Sequence, residues 1–404
     1  MRRVVVTGVG AISALGGSRV EFWSALSEGR TGIGPLEGME GQDLRFENAA
    51  QVRGFEPEAH FEPRVADLLD RFAQFAVVAA REAESDAGIE WTDHLRERTA
   101  VVTGSGVGGQ TSSERAQAGF YGEKRSRPHP LSVPRVMMSA GASHISIDLG
   151  TTGPTFTVST ACSSSNHAIG QAFTLVRSGA AELAITGGSE APLTPAHLKA
   201  WEAMRVVAPD TCRPFSKDRK GMILAEGAGM LVLEPLDAAR ARGARIYAEV
   251  VGFGMSSDAH HLTQPSAEGP ARAMQSALDD AGIGIEQIGY VNAHGTATAA
   301  NDATETRAIQ LVANGHSGAI AVSATKSMHG HALGAAGALE AIAVSLALSA
   351  GIAPPTANFN EPDPACDLDV IPNTARPLSA EYALSNSFAF GGLNAVLAFR
   401  RWYG

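Results

Sequence analysis

One strand–helix pattern runs through this chain twice, and that repetition limits the possible folds more than any other feature. The segment Arg3-Val4-Val5-Val6-Thr7-Gly8-Val9-Gly10 is echoed by the stretch 246–254, which ends Val251-Gly252-Phe253-Gly254. The strand pattern at 99–104 returns at 288–295, and both copies end in glycine. Residues 158–179 (strand, Cys loop, apolar helix, Gly) are matched by 322–351, and 181–188 by 382–392. Strands alternating with helices of this length imply βαβ units and mainly parallel sheets. Two such halves, 1–242 and 243–404, joined near Arg242-Gly243-Ala244, predict a layered α/β fold with pseudo-twofold symmetry. Ligands in such folds sit beyond the carboxyl ends of strands, where Cys162, His294 and the loop around Phe390 all fall.

Bulk properties exclude several functions. The 404 residues are 44% hydrophobic and 18% charged, enough for a large core. A formal charge of −10 argues against a nucleic-acid binder, and an acidic partner would need a local basic patch. Cys162, Cys212 and Cys366 make no disulfide framework and fit a reducing cytoplasm. The N-terminus reads as a first strand and not as a signal peptide. The apolar run 334–355 has the length of a membrane span, but it carries Glu340. Leu339, Ile342, Ala343 and Leu346 keep helical spacing, so the run reads as a helix buried between sheet layers.

The chemistry concentrates in four segments. In Val158-Ser159-Thr160-Ala161-Cys162-Ser163-Ser164-Ser165 an apolar strand runs into a cysteine where a helix begins. Unpaired N–H groups and the helix dipole there favour thiolate. Ile169, Ala172, Phe173 and Val176 define that helix, and Gly179 stops it. Asn292-Ala293-His294-Gly295-Thr296-Ala297-Thr298 offers a strand-end histidine with two hydroxyls. Lys326 and His331 stand five residues apart just before the apolar helix. Asn386-Ser387-Phe388-Ala389-Phe390-Gly391-Gly392 is a loop able to aim backbone N–H groups at an oxyanion.

These segments together resemble the elongating β-ketoacyl-[acyl-carrier-protein] synthases, the Cys-His-His condensing enzymes of the thiolase superfamily, essentially end to end. Cys162-Ser163-Ser164-Ser165-Asn166-His167-Ala168-Ile169 and Lys199-Ala200-Trp201-Glu202-Ala203-Met204-Arg205 look most like the nodulation protein E branch. The resemblance implies a thiolase-like αβαβα fold. It implies that Cys162 accepts an acyl chain, with the N–H groups of Cys162 and Phe390 as the oxyanion hole. His294 and His331 would then stabilise the enolate left when a malonyl unit loses carbon dioxide. Lys326 would orient the His331 region, with Glu305 as its partner, and Thr296 and Thr298 would hold the pantetheine arm. Phe388 and Phe390 resemble an aromatic gate to an acyl pocket lined by Val107, Met137, Met138 and Trp201. The implied partner is an acidic carrier protein docking on Lys124, Arg125, Arg127 and Arg205. A homodimer is implied by default, with strand 155–160 near its interface. The alternative is the catalytic half of a polyketide or polyene pair with a chain-length factor. No cofactor and no metal are implied.

Other readings fit less well. Ala389 and Leu393 stand where the family commonly has Gly and Thr, which bears on the gate and on chain-length preference. A thiolase typically needs a second cysteine in the 390 loop, initiating synthases carry Asn in place of His331, and chain-length factors lack the cysteine. Gly104-Ser105-Gly106-Val107-Gly108-Gly109 satisfies a dinucleotide pattern but lies far from the first βα unit, so it reads as a turn and pocket wall. His260-His261 and His329 lack a third ligand at matching spacing for a metal.

Overall fold

The computed structural model describes residues 1–39, 41–124 and 127–404. Eleven strands form one continuous sheet: β1 (Val4–Ser13), β2 (Thr99–Gly104), β3 (Thr155–Val158), β4 (Leu183–Glu190), β5 (Gly227–Pro235), β6 (Ala248–Ser257), β7 (Ile288–Asn292), β8 (Ala321–Ser323), β9 (Asp369–Val370), β10 (Tyr382–Ala389) and β11 (Leu393–Arg401). Their spatial order is β9-β8-β7-β10-β11-β6-β1-β5-β4-β2-β3.

This order has the predicted symmetry. Reading outward from the central β1–β6 pair, β1-β5-β4-β2-β3 in one half answers β6-β11-β10-β7-β8 in the other. The echoed sequence segments thus occupy equivalent places. Pairing is parallel in the outer parts of the sheet and antiparallel at its centre, five pairs of each kind. Among the antiparallel pairs, β10 and β11 are joined by a tight turn, and a tight connection can join only antiparallel strands.

Five layers result. Helices α1 (Arg71–Ala87) and α2 (Ala140–Leu149) cover the outer face of the first half-sheet, and α4 (Glu268–Ala281) with α5 (Ala299–Ala313) covers that of the second. Between the half-sheets lie α3 (Ser164–Ser178) and α6 (Ala336–Ala350), which pack on each other and on strands of both halves. Gly179 ends α3 in the left-handed region, at φ 82. The stretch Leu333–Ala350 is long and apolar enough to cross a membrane, but 89% of it is buried inside the protein, as a central layer requires.

The duplicated glycines have a packing cause. A Cβ at Gly8 or Gly10 would sit 2.1 Å from a backbone oxygen of α1 (Ala83 or Ala79). At Gly252 and Gly254 it would sit 2.3 and 2.1 Å from Ala277 and Ala273 oxygens of α4. Each outer helix therefore rests directly on strand backbone. Gly254→Ala should force that helix away and cost about 1–3 kcal/mol, read as a lowered urea midpoint; an unchanged midpoint would contradict the close approach.

Candidate active site

The cysteine stands on a turn that its own helix holds. Between β3 and α3, Ala161 adopts φ 51, an unfavourable left-handed conformation for a residue with a Cβ. Ser163 Oγ donates to the Thr160 carbonyl at 2.9 Å, and Ser164 Oγ donates to the Ala161 carbonyl at 2.6 Å. The Thr160 N–H in turn donates to Ser164 Oγ at 2.9 Å. His167 Nδ1 lies 3.0 Å from Thr160 Oγ1 and 3.1 Å from the Ser163 carbonyl. Cys162 is thereby presented two residues before the first turn of α3.

Its surroundings are apolar. Cys162 is 7% exposed and clusters with Leu198, Trp201, Met222, Leu224 and Leu333. Burial pushes the thiol up to about 12, while the positive charge of Lys326 and the backbone N–H of Cys162 pull the other way. The helix dipole expected to favour thiolate is thus outweighed by desolvation.

The histidines are fixed from behind. His294 follows β7, and Glu305 of α5 accepts the N–H groups of His294 and Gly295, both at 2.8 Å, and the Asn386 side-chain amide at 3.2 Å. Lys326 is fully buried and ion-paired to Glu340 of α6, not to Glu305 as expected. Glu305 is occupied in shaping the His294 turn, whereas Glu340 is the carboxylate that α6 presents to the ammonium. Lys326 Nζ also donates to the His294 carbonyl at 2.7 Å and lies 3.3 Å from His294 Nδ1. The cation thus orients His294 directly, rather than the His331 region. An ammonium only donates, so His294 Nδ1 accepts and the ring proton sits on Nε2. The His331 ring is 5.4 Å from that of His294 at an interplanar angle of 84°, and both its nitrogens are buried without a hydrogen-bond partner among the described residues. Burial first, then the charge of Lys326, pushes both imidazoles well below their ordinary 6.5, so both are neutral at pH 7.

Cys162, His294, His331, Phe388, Phe390, Thr296 and Thr298 line one cleft of about 690 Å³. The two threonine hydroxyls lie 2.9 Å apart. Trp201 is not in the wall but behind it: it stacks on Phe390 at 6.0 Å and 22° and donates through Nε1 to His197 at 2.8 Å. Val107 is also set back, its N–H bound to Glu190. Met137 and Met138 are exposed, outside the cleft. Arg205 adjoins Val206 of the cleft wall, while Lys124 and Arg127 are exposed and do not line it. Arg125 lies outside the described residues.

Two contributors escaped sequence reading. The loop after β6 supplies Asp258 and residues 261–265 to the wall. It ties down the Phe390 hairpin: the Gly391 N–H donates to the Leu262 carbonyl at 2.7 Å, the Asp258 N–H to the Gly392 carbonyl at 2.9 Å, and the Asn394 amide to Asp258 at 2.7 Å. Its position past a strand end was the available signal. Glu190, fully buried, accepts Ser105 Oγ and the N–H groups of Gly106, Val107 and Gly334, joining the first glycine loop to the turn after His331. Burial pushes its carboxyl up to about 7. No cluster of three or more potential metal ligands occurs among the described residues.

Comparison with known proteins matches two family models in succession along the chain. A family model described as "Beta-ketoacyl synthase, N-terminal domain" matches residues 1–239, and one described as "Beta-ketoacyl synthase, C-terminal domain" matches residues 247–360. The chain is 47% identical to nodulation protein E of Rhizobium sp. (strain N33) over 400 residues, 99% of each protein. It is 41% identical over 409 residues to 3-oxoacyl-[acyl-carrier-protein] synthase 2 of Synechocystis sp., covering 99% of this chain and 98% of that one. A solved structure titled "The ishigamide ketosynthase/chain length factor" superposes with a TM-score of 0.93 at 40% identity, covering 100% of both chains.

The electrostatics of the histidine pair can be read directly. Nitrogen-15 NMR of the imidazoles should show His294 as a neutral Nε2–H tautomer and His331 as neutral at pH 6. A protonated signature for either ring at that pH would contradict the burial and the Lys326 contact.

Proposed function

The chain belongs to the β-ketoacyl synthase family, and we propose that it joins an acyl chain held on Cys162 to the two-carbon unit of malonyl-carrier-protein. The observation that carries this reading is the single cleft holding Cys162, the His294 Nε2–H and the unpartnered ring of His331. In the first half-reaction the Cys162 sulfur attacks the carbonyl of an acyl-carrier-protein thioester. The oxyanion takes the N–H groups of Cys162 and Phe390. Collapse breaks the bond to the pantetheine sulfur, which leaves with the proton lost by Cys162. Because burial holds the thiol protonated, that proton departs as the thioester engages, not beforehand.

In the second half-reaction malonyl-carrier-protein loses carbon dioxide, and the electron pair of the broken C–C bond becomes an enolate. Its oxygen accepts hydrogen bonds from His294 Nε2–H and from His331. Neutral imidazoles suit this task, since they donate without protonating the nucleophilic carbon. The enolate carbon attacks the acyl-Cys162 carbonyl, a C–C bond forms, the C–S bond breaks, and the departing Cys162 thiolate takes a proton from solvent. The product is a 3-oxoacyl chain two carbons longer. Thr296 and Thr298 would hydrogen-bond the pantetheine arm, and Phe390, backed by Trp201, would act as the gate. Val107 and Met138 stand outside this cleft. No cofactor enters the scheme.

The partner is a carrier protein, as the relative's name, 3-oxoacyl-[acyl-carrier-protein] synthase 2, suggests. Arg205 beside the cleft wall and the exposed Lys124 supply local positive charge that a chain of −10 needs to receive an acidic surface. We propose a homodimer through the free edge of β3, where Phe156 is 38% exposed, in a reducing cytoplasm that keeps Cys162 a thiol. A pair with a chain-length factor is the second reading, favoured by the similarity to the ishigamide ketosynthase/chain length factor structure.

His331→Ala should lower 3-oxoacyl formation by about 10²-fold or more while an acyl-enzyme still accumulates. Equal loss of both steps would overturn the assignment of His331 to the enolate. Arg205→Glu should raise KM for the carrier at low salt with kcat little changed, and the difference should shrink as salt is added; an unaltered KM would remove Arg205 from the docking surface.

A further inference from the structure

A second hollow, of about 850 Å³, is bounded by helix Gln110–Gln117, the segment 127–129 and the short helix Ser132–Val136. Three guanidinium groups reach it: Arg115, Arg127 and Arg135. The carboxylate in its wall is Asp67, and that group is already engaged. His129 Nδ1 accepts the Leu131 N–H at 3.2 Å, so its proton sits on Nε2 and donates to Asp67 at 3.0 Å. Arg135 Nη1 lies 3.8 Å from the other Asp67 oxygen. Among the described residues Arg115 and Arg127 form no ion pair or side-chain hydrogen bond. Nε of Arg135, whose side chain is 17% exposed, is buried with no partner. Asp70 lies behind Arg135 and adds a second carboxylate, so three cations against two carboxylates leave an excess of one positive charge, with unused N–H donors at the hollow.

An unpaired buried donor costs free energy unless something accepts from it. Planar guanidinium forks match tetrahedral oxyanions with two parallel hydrogen bonds each. Phe120, 53% exposed, forms an apolar wall beside the arginines. We propose that this hollow binds a dianionic phosphate group, held by Arg115, Arg127 and Arg135, with Phe120 against whatever the phosphate is esterified to. The site is separate from the Cys162 cleft and does not depend on the condensation chemistry.

Isothermal titration of the full chain with inorganic phosphate and with adenosine 5′-monophosphate, at matched ionic strength, tests this. Saturable binding of both is expected, tighter for the ester if Phe120 packs on its body, and equal if free phosphate is the occupant. Arg115→Gln/Arg135→Gln should weaken both ligands at least tenfold while far-UV circular dichroism stays unchanged. Phe120→Ala, a surface change that leaves the fold intact, should remove only the ester's advantage. Absence of saturable heat with either ligand, or affinities untouched by the double substitution, would overturn the proposal.

Discussion

A single buried ammonium organises the catalytic cleft. Lys326 has no exposed surface, and an isolated charge there would be prohibitively costly. Glu340 offsets that cost, even though burial pushes the Glu340 carboxyl up to about 7 and so opposes its own ionisation. With the pair formed, the remaining donors of Lys326 reach the carbonyl and Nδ1 of His294, which sets the tautomer of that ring. The same charge disfavours protonation of His294 and His331 and favours ionisation of Cys162. One cation thus acts on Cys162, His294 and His331 without facing the cleft itself. The carboxylate that would be expensive in a membrane helix is the anchor of this arrangement.

The duplicated fold explains why one cleft can carry several kinds of chemistry. Helices α3 and α6 hold equivalent places in the two halves and pack on each other in the central layer. Before α3 the connecting loop carries Cys162; before α6 it carries Lys326 and His331. The symmetry brings both loops to one place, and each half contributes what the other lacks. The third contribution, the Phe390 hairpin, joins β10 to β11 and is tied by three hydrogen bonds to the loop after β6. That hairpin is antiparallel because it is tight.

Much of the site was legible from the chain because strand ends are legible. Cys162, His294, His331, Phe388, Phe390, Thr296 and Thr298 each follow an apolar run closed by small residues, and the structure gathers all seven around one cleft. The partner of Lys326 was not legible. Glu305 and Glu340 are both carboxylates on helices near the right strands, and the choice depends on which helix face meets the ammonium. Trp201 was placed in the pocket wall by residue type, yet Phe390 lies over it at 6.0 Å. Met137 and Met138 look like core residues by composition and are exposed. Glu190 passed unnoticed as a polar residue ending a strand; its role lies in four donors from segments far apart in sequence. The charge balance at Cys162 was likewise out of reach, since a helix start favours thiolate and only three-dimensional burial reverses the sign.

Intact-mass spectrometry of the protein and of Cys162→Ala after incubation with acyl-carrier-protein thioesters is the most direct measurement. A mass gain equal to one acyl group on the native chain, absent from the variant and mapping to the Cys162 peptide, is the predicted result. A folded native protein that gains no acyl mass from any donor, or a variant that gains the same mass, would show that Cys162 does not carry the chain.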